Sequence, residues 1–102
     1  MEYIVSITFS KKGILKYISH LDLLRLFQRS ARRTELPVSL TKGFKPRLKI
    51  KLLKALALGI ESDNEEAVIS LTKNLSLEEI KKRLHTTLPD EIRIKDIKWI
   101  PK

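Results

Sequence analysis

The sequence predicts an α+β fold in which two helices cover one face of an antiparallel sheet. Residues 3–9 alternate between apolar and other side chains, which is the period of a half-buried strand. Two amphipathic stretches follow Ser19 and Ser76, and serine is favoured immediately before a helix. Shorter alternating segments lie between and after these helices. The predicted order is strand, helix, strand, strand, helix, strand, in a single domain spanning residues 1–102.

The composition excludes several classes of protein. The chain contains no cysteine, which rules out disulfides, thiolate metal sites, iron–sulfur clusters and cysteine nucleophiles. Its start lacks the pattern of a signal peptide, and its longest near-apolar run, residues 55–60, is far shorter than the ~20 residues of a membrane helix. We expect a soluble, cytoplasmic protein that contacts no membrane. The oligomeric state is not indicated.

The chain is strongly basic, with 21 Lys and Arg against 12 Asp and Glu and a formal net charge of +9. Such a charge on a small domain predicts a polyanionic partner, most often nucleic acid. The charges are also segregated, because residues 42–54 contain six basic residues and no acid, whereas residues 61–66 contain four acids and no base. This segregation favours a basic binding face over a surface that is only solvated.

The first strand is predicted over residues 3–9, with its apolar side chains on one parity and Ser6 and Thr8 on the other. A turn is predicted at residues 10–13. Residues 14–18 are expected to extend this strand or to pair with it.

The first helix is predicted over residues 20–34. Ser19 is its N-cap, and Asp22 stands at the capping-box position. Pro37 ends the helix, because proline disfavours the helical conformation of the residue before it. The apolar stripe that faces the core consists of Leu23, Leu24, Phe27 and Ala31.

After this helix, residues 37–41 are a candidate strand and residues 42–46 a loop containing glycine and proline. Residues 48–52 alternate between apolar residues and lysine, which predicts a strand with one wet, basic face. The alternation slips at residues 52–53, where a bulge is expected. Residues 55–60 are predicted to be a buried continuation of the strand.

Residues 61–65 are predicted to be a polar turn and residues 67–72 a further strand. Ser76 and Glu79 form a capping box, which starts the second helix. A last strand is predicted over residues 92–100. This order is the split β-α-β of the ferredoxin-like sandwich, a layout shared by RNA-binding domains and by unrelated enzymes and regulatory domains.

Four arginines are predicted on the side of the first helix opposite its apolar stripe. Their spacing is i, i+4, i+7 and i+8, and they are Arg25, Arg29, Arg32 and Arg33. Guanidinium groups bind phosphate through two parallel hydrogen bonds, so such a helix face can follow a nucleic-acid backbone. The alternative is a solvated face, since arginine is also a good helix former. The basic segment that follows favours the phosphate contact.

The loop after the helix places Phe44 beside Gly43 in a run of basic residues. The phosphate contacts predicted in this run are Lys42, Lys45, Arg47, Lys49 and Lys51. If Phe44 is exposed it can stack on a nucleobase, and if it folds back it fills the core. The residues favour neither alternative.

His20, in the first turn of the arginine helix, is the candidate acid–base group of a metal-free reaction. Its helical angle directs it toward the apolar side of the helix, near Phe27. The alternative to a catalytic role is a residue that caps the helix or packs beside Tyr17. His85 is expected at the surface. Two distant histidines without clustered carboxylates predict no metal site, and no cofactor-binding motif is present.

Four segments, in chain order, are Y-I-S-H-L-D-L-L-R-L-F-Q-R-S-A-R-R (residues 17–33), L-P-V-S (36–39), K-G-F-K-P (42–46) and L-A-L-G-I-E-S (56–62). Together they resemble the radical-SAM-associated domain of unknown function, also called the radical SAM-linked protein domain. The resemblance implies a role around RNA beside a separate radical SAM protein, and no known reaction. This chain departs from the family where Arg47-Leu48 replaces a common His-Pro, and it lacks the Cys-x3-Cys-x2-Cys motif of radical chemistry.

A weaker similarity exists to the CRISPR repeat-processing endoribonucleases, which combine ferredoxin-like domains, an arginine-bearing helix and a metal-free histidine. Those proteins usually have two such domains and a glycine-rich loop near the C-terminus, whereas this chain is half that size with glycine only at positions 13, 43 and 59.

The predicted function is an RNA-binding accessory domain, non-catalytic, that acts with a radical SAM partner in RNA modification or ribosome-related processes. The alternatives are a metal-free CRISPR-type endoribonuclease that uses His20 and a protein–protein interaction module. In the predicted sandwich the helix arginines and the open sheet face point apart. They are expected to share a ligand only at the edge where Ser19, His20 and the loop at residues 43–44 converge.

Overall fold

The computed structural model describes residues 2–53 and 59–101. The strands are β1 (Tyr3–Lys11), β2 (Ile50–Leu52), β3 (Ser62–Leu71) and β4 (Ile92–Trp99), and the α-helices are α1 (His20–Arg33) and α2 (Leu77–Thr87). A short 3-10 helix, Gly13–Tyr17, lies between β1 and α1. No helix of the described residues is long and apolar enough to span a membrane.

The four strands form one antiparallel sheet in the order β2-β3-β1-β4. The centre of β1 fixes the register, because Ile7 pairs with Ala67 of β3 on one side and with Ile97 of β4 on the other. This strand order and the two helices confirm the predicted ferredoxin-like α+β fold.

Both helices pack on the face of the sheet that carries the buried parity of β1. Val5, Ile7 and Phe9 are fully buried there. Phe9 meets Phe27 of α1 edge to face, with 5.0 Å between the ring centroids. The opposite helix face is thereby turned to solvent, which is where the arginines of α1 lie.

Local capping fixes both ends of α1. Ser19 Oγ accepts a hydrogen bond from Asp22 N at 3.1 Å, as the predicted N-cap requires. At the other end Glu35 has a φ of 54°, and Leu36 N donates to Ala31 O at 2.9 Å. This is a Schellman motif, and it ends the helix one residue before the predicted position.

Two predictions near the start of the chain are wrong. β1 continues to Lys11, so the turn begins later than residue 10. Residues 14–18 are not a strand, because residues 14–17 belong to the 3-10 helix and Ile18 is its C-cap. The physical reason is Gly13, whose φ of 61° turns the chain off the sheet and whose N–H donates to Glu61 Oε2 at 2.8 Å.

The polar turn predicted at residues 61–65 is also wrong. β3 begins at Ser62, and its polar start pairs with the end of β1, where Glu65 lies opposite Phe9. Acidic residues rarely favour strands, but pairing with a central strand overrides that preference here.

The segment between α1 and β3 is less regular than predicted. The candidate strand at residues 37–41 forms only two isolated bridges, Val38 with Leu71 and Leu40 with Leu48. The strand predicted over residues 48–52 is reduced to β2. Most of the continuation predicted for residues 55–60 lies outside the described residues.

Candidate nucleic-acid interface

The arginines of α1 form one exposed surface. Leu23 and Phe27 are buried on the opposite side of the helix, which leaves the polar side free. All four arginines, with Gln28, line a cavity of about 370 Å³. Its lining consists of Arg25, Gln28, Arg29, Arg32 and Arg33.

Arg47 joins the segment after the helix to this surface. Arg25, Arg32 and Arg47 line one cavity of about 430 Å³, the arginine cavity. Its remaining lining residues are Leu21, Leu24 and Gln28. The helix and the hairpin segment therefore meet along the middle of α1, through Arg47, and not at the predicted corner beside Ser19.

The position of Arg47 follows from a short hairpin. Thr41 N donates to Arg47 O at 2.8 Å, and Thr41 Oγ1 accepts from Arg47 N at 2.9 Å. The next pair, Leu40 and Leu48, forms an antiparallel bridge. These bonds close the hairpin loop, residues 42–46, and fix the backbone of Arg47 against Thr41.

Phe44 occupies the tip of the hairpin loop and is fully exposed, with a relative accessibility of 107%. The alternative in which it fills the core is therefore wrong. Lys42 and Lys45 beside it are exposed as well. A phenyl ring among lysines has the chemistry of a platform on which a base stacks.

A third cavity, of about 460 Å³, adjoins the arginine cavity and is called the edge cavity here. It shares Leu24, Gln28 and Arg47 with the arginine cavity. The rest of its lining consists of Thr41, Leu48, Lys49, Ile50, Lys51, Val68 and Ser70. Buried Ile50 faces the helix layer, and the next residue of β2, Lys51, faces the opposite side of the sheet. Because both residues line the edge cavity, it extends around the edge strand from one face of the sheet to the other.

Ion pairs neutralise only two of the predicted basic contacts. Arg25 lies 3.3 Å from Asp22, and Lys49 lies 2.9 Å from Glu2. The other predicted basic residues form no ion pair within residues 2–53 and 59–101. They are Arg29, Arg32, Arg33, Lys42, Lys45, Arg47 and Lys51.

The open face of the two central strands carries no aromatic side chain, and both strands are described throughout. On β1 this face presents Ile4, Ser6 and Thr8; on β3 it presents Glu66, Val68 and Ser70. RNA-binding domains of related layout stack bases on aromatic residues of this face. Here the aromatic group with that chemistry is at the hairpin tip instead.

The two histidines lie outside these cavities. His20 is exposed and its side chain makes no hydrogen bond within the described part of the chain. His85 Nε2 accepts a hydrogen bond from Ile94 N at 3.0 Å, which ties α2 to β4. Burial lowers the pKa of His85, and the charges of Lys81 and Arg93 lower it further.

Among residues 2–53 and 59–101, no three His, Asp or Glu side chains lie close enough together to hold a metal ion.

Sequence reasoning missed several residues of the interface. Gln28 lines all three cavities. It could have been predicted, because it lies three residues after Arg25 and four before Arg32 and so shares their helix face. Leu24 was assigned to the core but is only half-buried. Thr41 gave no signal, because its role depends on the hairpin pairing.

A family model matches residues 5–102, and the family is described as an uncharacterized protein conserved in bacteria (DUF2344). No curated protein and no solved structure was found to match the chain. The family description names no ligand, partner or reaction.

Proposed function

The chain belongs to this family of bacterial proteins, and we propose that it is an RNA-binding accessory domain without a reaction of its own. The observation that carries the proposal is the arginine cavity, where Arg25 and Arg32 of α1 meet Arg47 of the hairpin. Planar guanidinium groups match the geometry of phosphate oxygens. The net charge of +9 attracts a polyanion to the same chain.

The residues around the arginine cavity favour an extended polyanion as the ligand, and not a single small anion. Further cations that form no ion pair within residues 2–53 and 59–101 lie on α1, in the hairpin loop and on β2. Phe44 adds a group that can stack on a base. In contrast, the open sheet face lacks such groups on its central strands, so the interface proposed for RNA follows the β2 edge and α1.

Salt-dependent affinity for RNA tests this proposal. Binding of a labelled RNA oligonucleotide is measured by fluorescence anisotropy over a series of salt concentrations. We expect Arg32→Gln and Arg47→Gln each to weaken binding and to reduce the slope of log affinity against log salt by about 0.7, the value for one contact to a single strand.

The matched control is Lys82→Gln, which removes one exposed charge from α2, the helix that packs toward β4. We expect it to leave affinity and slope close to those of the unsubstituted chain. Affinity that ignores salt, or an equal loss in all three variants, contradicts the proposal.

We also propose that the domain works beside a radical SAM protein, as the sequence resemblance implies. The support from the fold is an exposed apolar patch formed by Ile14, Tyr17 and Ile60, which are 76%, 63% and 60% exposed. Residues i and i+3 of a 3-10 helix lie on the same side, which places Ile14 beside Tyr17, and a β-carbon at position 59 would lie 3.4 Å from the Tyr17 ring. Contiguous exposed apolar side chains mark protein contacts.

Co-purification from nuclease-treated lysate tests the partner. We expect a radical SAM protein to be retained by the unsubstituted chain and lost with Tyr17→Ser, while Arg47→Gln retains it. Loss of the partner on nuclease treatment alone shows that RNA, and not this patch, connected the two proteins.

A further inference from the structure

The edge cavity combines side chains that suit a flat, partly polar ligand. Leu24, Leu48 and Ile50 contribute apolar surface, whereas Gln28 and Thr41 contribute hydrogen-bonding groups. Its volume of about 460 Å³ falls within the roughly 300–1,000 Å³ of ligand pockets. A nucleobase has apolar faces and a hydrogen-bonding edge, so its chemistry matches this lining.

The edge cavity is also placed next to a phosphate-binding group. Arg47 lines both the edge cavity and the arginine cavity, and so do Leu24 and Gln28. A nucleotide whose base enters the edge cavity therefore has guanidinium groups within the adjoining space for its phosphates.

We propose that the edge cavity accepts one unstacked nucleobase of single-stranded RNA while the flanking phosphates contact the arginine cavity. The proposal rests on the RNA binding proposed above and names its substrate class. A base inside a duplex is stacked and paired, so it cannot enter a concave site without leaving the helix.

Gln28 is the residue to which the structure assigns base discrimination. It lines all three cavities, and within the described residues its side-chain amide makes no hydrogen bond. A free carboxamide offers an acceptor and a donor, which together recognise one base edge. Thr41 has less freedom, because its hydroxyl already accepts a hydrogen bond from Arg47 N.

The test compares homopolymeric single strands of about eight nucleotides with a blunt duplex of the same length, again by anisotropy. We expect the unsubstituted chain to bind its preferred single strand at least ~10-fold more tightly than the duplex. Gln28→Leu, similar in size but without hydrogen-bonding groups, is expected to lower affinity for the preferred base by about 5-fold to 10-fold and to flatten the preference.

Arg32→Gln serves as the contrasting variant. It is expected to weaken binding of every single strand by a similar factor, because a phosphate contact carries no base information. Circular dichroism of each variant confirms that the fold is retained.

Nucleotide titration of the unsubstituted chain avoids substitutions altogether. Uridine and adenosine monophosphates are added while backbone amide shifts are followed by NMR. We expect amides of β2 and of Leu48 to shift with at least one of them and not with ribose 5-phosphate, which lacks the base.

The outcomes separate the two proposals. The base site is overturned if RNA binding depends on salt but is equally tight for single strand and duplex. It is also overturned if the base preference is unchanged in Gln28→Leu. Either result leaves the proposal of RNA binding intact. Binding of no RNA by the unsubstituted chain overturns both.

Discussion

Arg47 is positioned through its backbone, which hydrogen-bonds to Thr41 on both its N–H and C=O groups. Its guanidinium group forms no ion pair within residues 2–53 and 59–101 and lines two cavities. At the residue scale, the proposed interface therefore depends on a few backbone hydrogen bonds that leave charged side chains available.

Glu35 is a second residue whose backbone is decisive, because it adopts the left-handed conformation at the end of α1. Glycine adopts this conformation without the penalty that a β-carbon brings. We expect Glu35→Gly to raise the free energy of unfolding by about 0.5–1 kcal/mol in urea denaturation with an unchanged m-value. Glu35→Ala retains the penalty, so an equal gain in that variant contradicts the explanation.

His85 gives the fold a dependence on pH. Its pKa in the folded chain is lowered from 6.5, mainly by burial, and its Nε2 must stay unprotonated to accept from Ile94 N. The unfolded chain therefore binds the proton more readily, so stability contributed by neutral His85 is present above pH 6.5 and is lost as the pH falls through the lowered pKa.

We expect the free energy of unfolding to decrease between about pH 7.5 and pH 5.5, a window in which unperturbed carboxylates remain ionised. His85→Gln keeps a side-chain acceptor but does not titrate, so its decrease over this window should be smaller. An identical decrease in both proteins assigns the pH dependence to another group.

The hairpin that closes at Thr41 is the element on which the proposed interface depends. Thr41→Val keeps the shape of the side chain and removes the acceptor for Arg47 N. We expect a loss of about 1 kcal/mol in the free energy of unfolding and weaker RNA binding, because Arg47 is then held less firmly beside α1. Thr86→Val, which removes an exposed hydroxyl bond on α2, is expected to leave RNA affinity unchanged.

The elements that the sequence predicted best are those fixed by local chemistry. Ser19 and Ser76 cap the helices as expected, since a cap needs only residues three positions apart. β3 starts earlier than predicted because its polar residues pair with β1, far away in the chain. The shared face of the four arginines of α1 was also predicted correctly, because it depends only on their spacing along one helix. The approach of Arg47 to α1 could not be predicted, because it depends on the hairpin and on packing.

At the scale of the whole molecule, the sheet order decides where the proposed interface lies. β1 and β3 are central, β2 is an edge, and α1 packs toward β2 while α2 packs toward β4. The basic elements that are adjacent in the chain are thereby brought to one side. The charge of +9 predicts a polyanionic partner, which stays a prediction. The predicted meeting point of helix and loop beside His20 was misplaced, because the position of the hairpin could not be predicted from the sequence.

The whole molecule is expected to bind RNA without cleaving it. His20 has no hydrogen-bond partner within the described residues that would hold it as an acid–base group. RNA incubated with the chain in EDTA should stay intact on a denaturing gel, with the unsubstituted protein and with His20→Ala alike. Cleavage by the unsubstituted protein that His20→Ala abolishes would favour the endoribonuclease alternative.

The brevity of β2 has a consequence for motion. Within residues 2–53 and 59–101 it contributes three residues and pairs with one neighbouring strand, whereas β1 is paired along both sides. Segments with few backbone partners open locally at a lower free energy than the core does. Amides of β2 are therefore expected to exchange with solvent deuterium well before those of β1, and added RNA should slow the exchange of β2 selectively. Bound RNA would then stabilise β2 against local opening. Slower amide exchange at Ile50–Leu52 would therefore report how much of the protein has RNA bound.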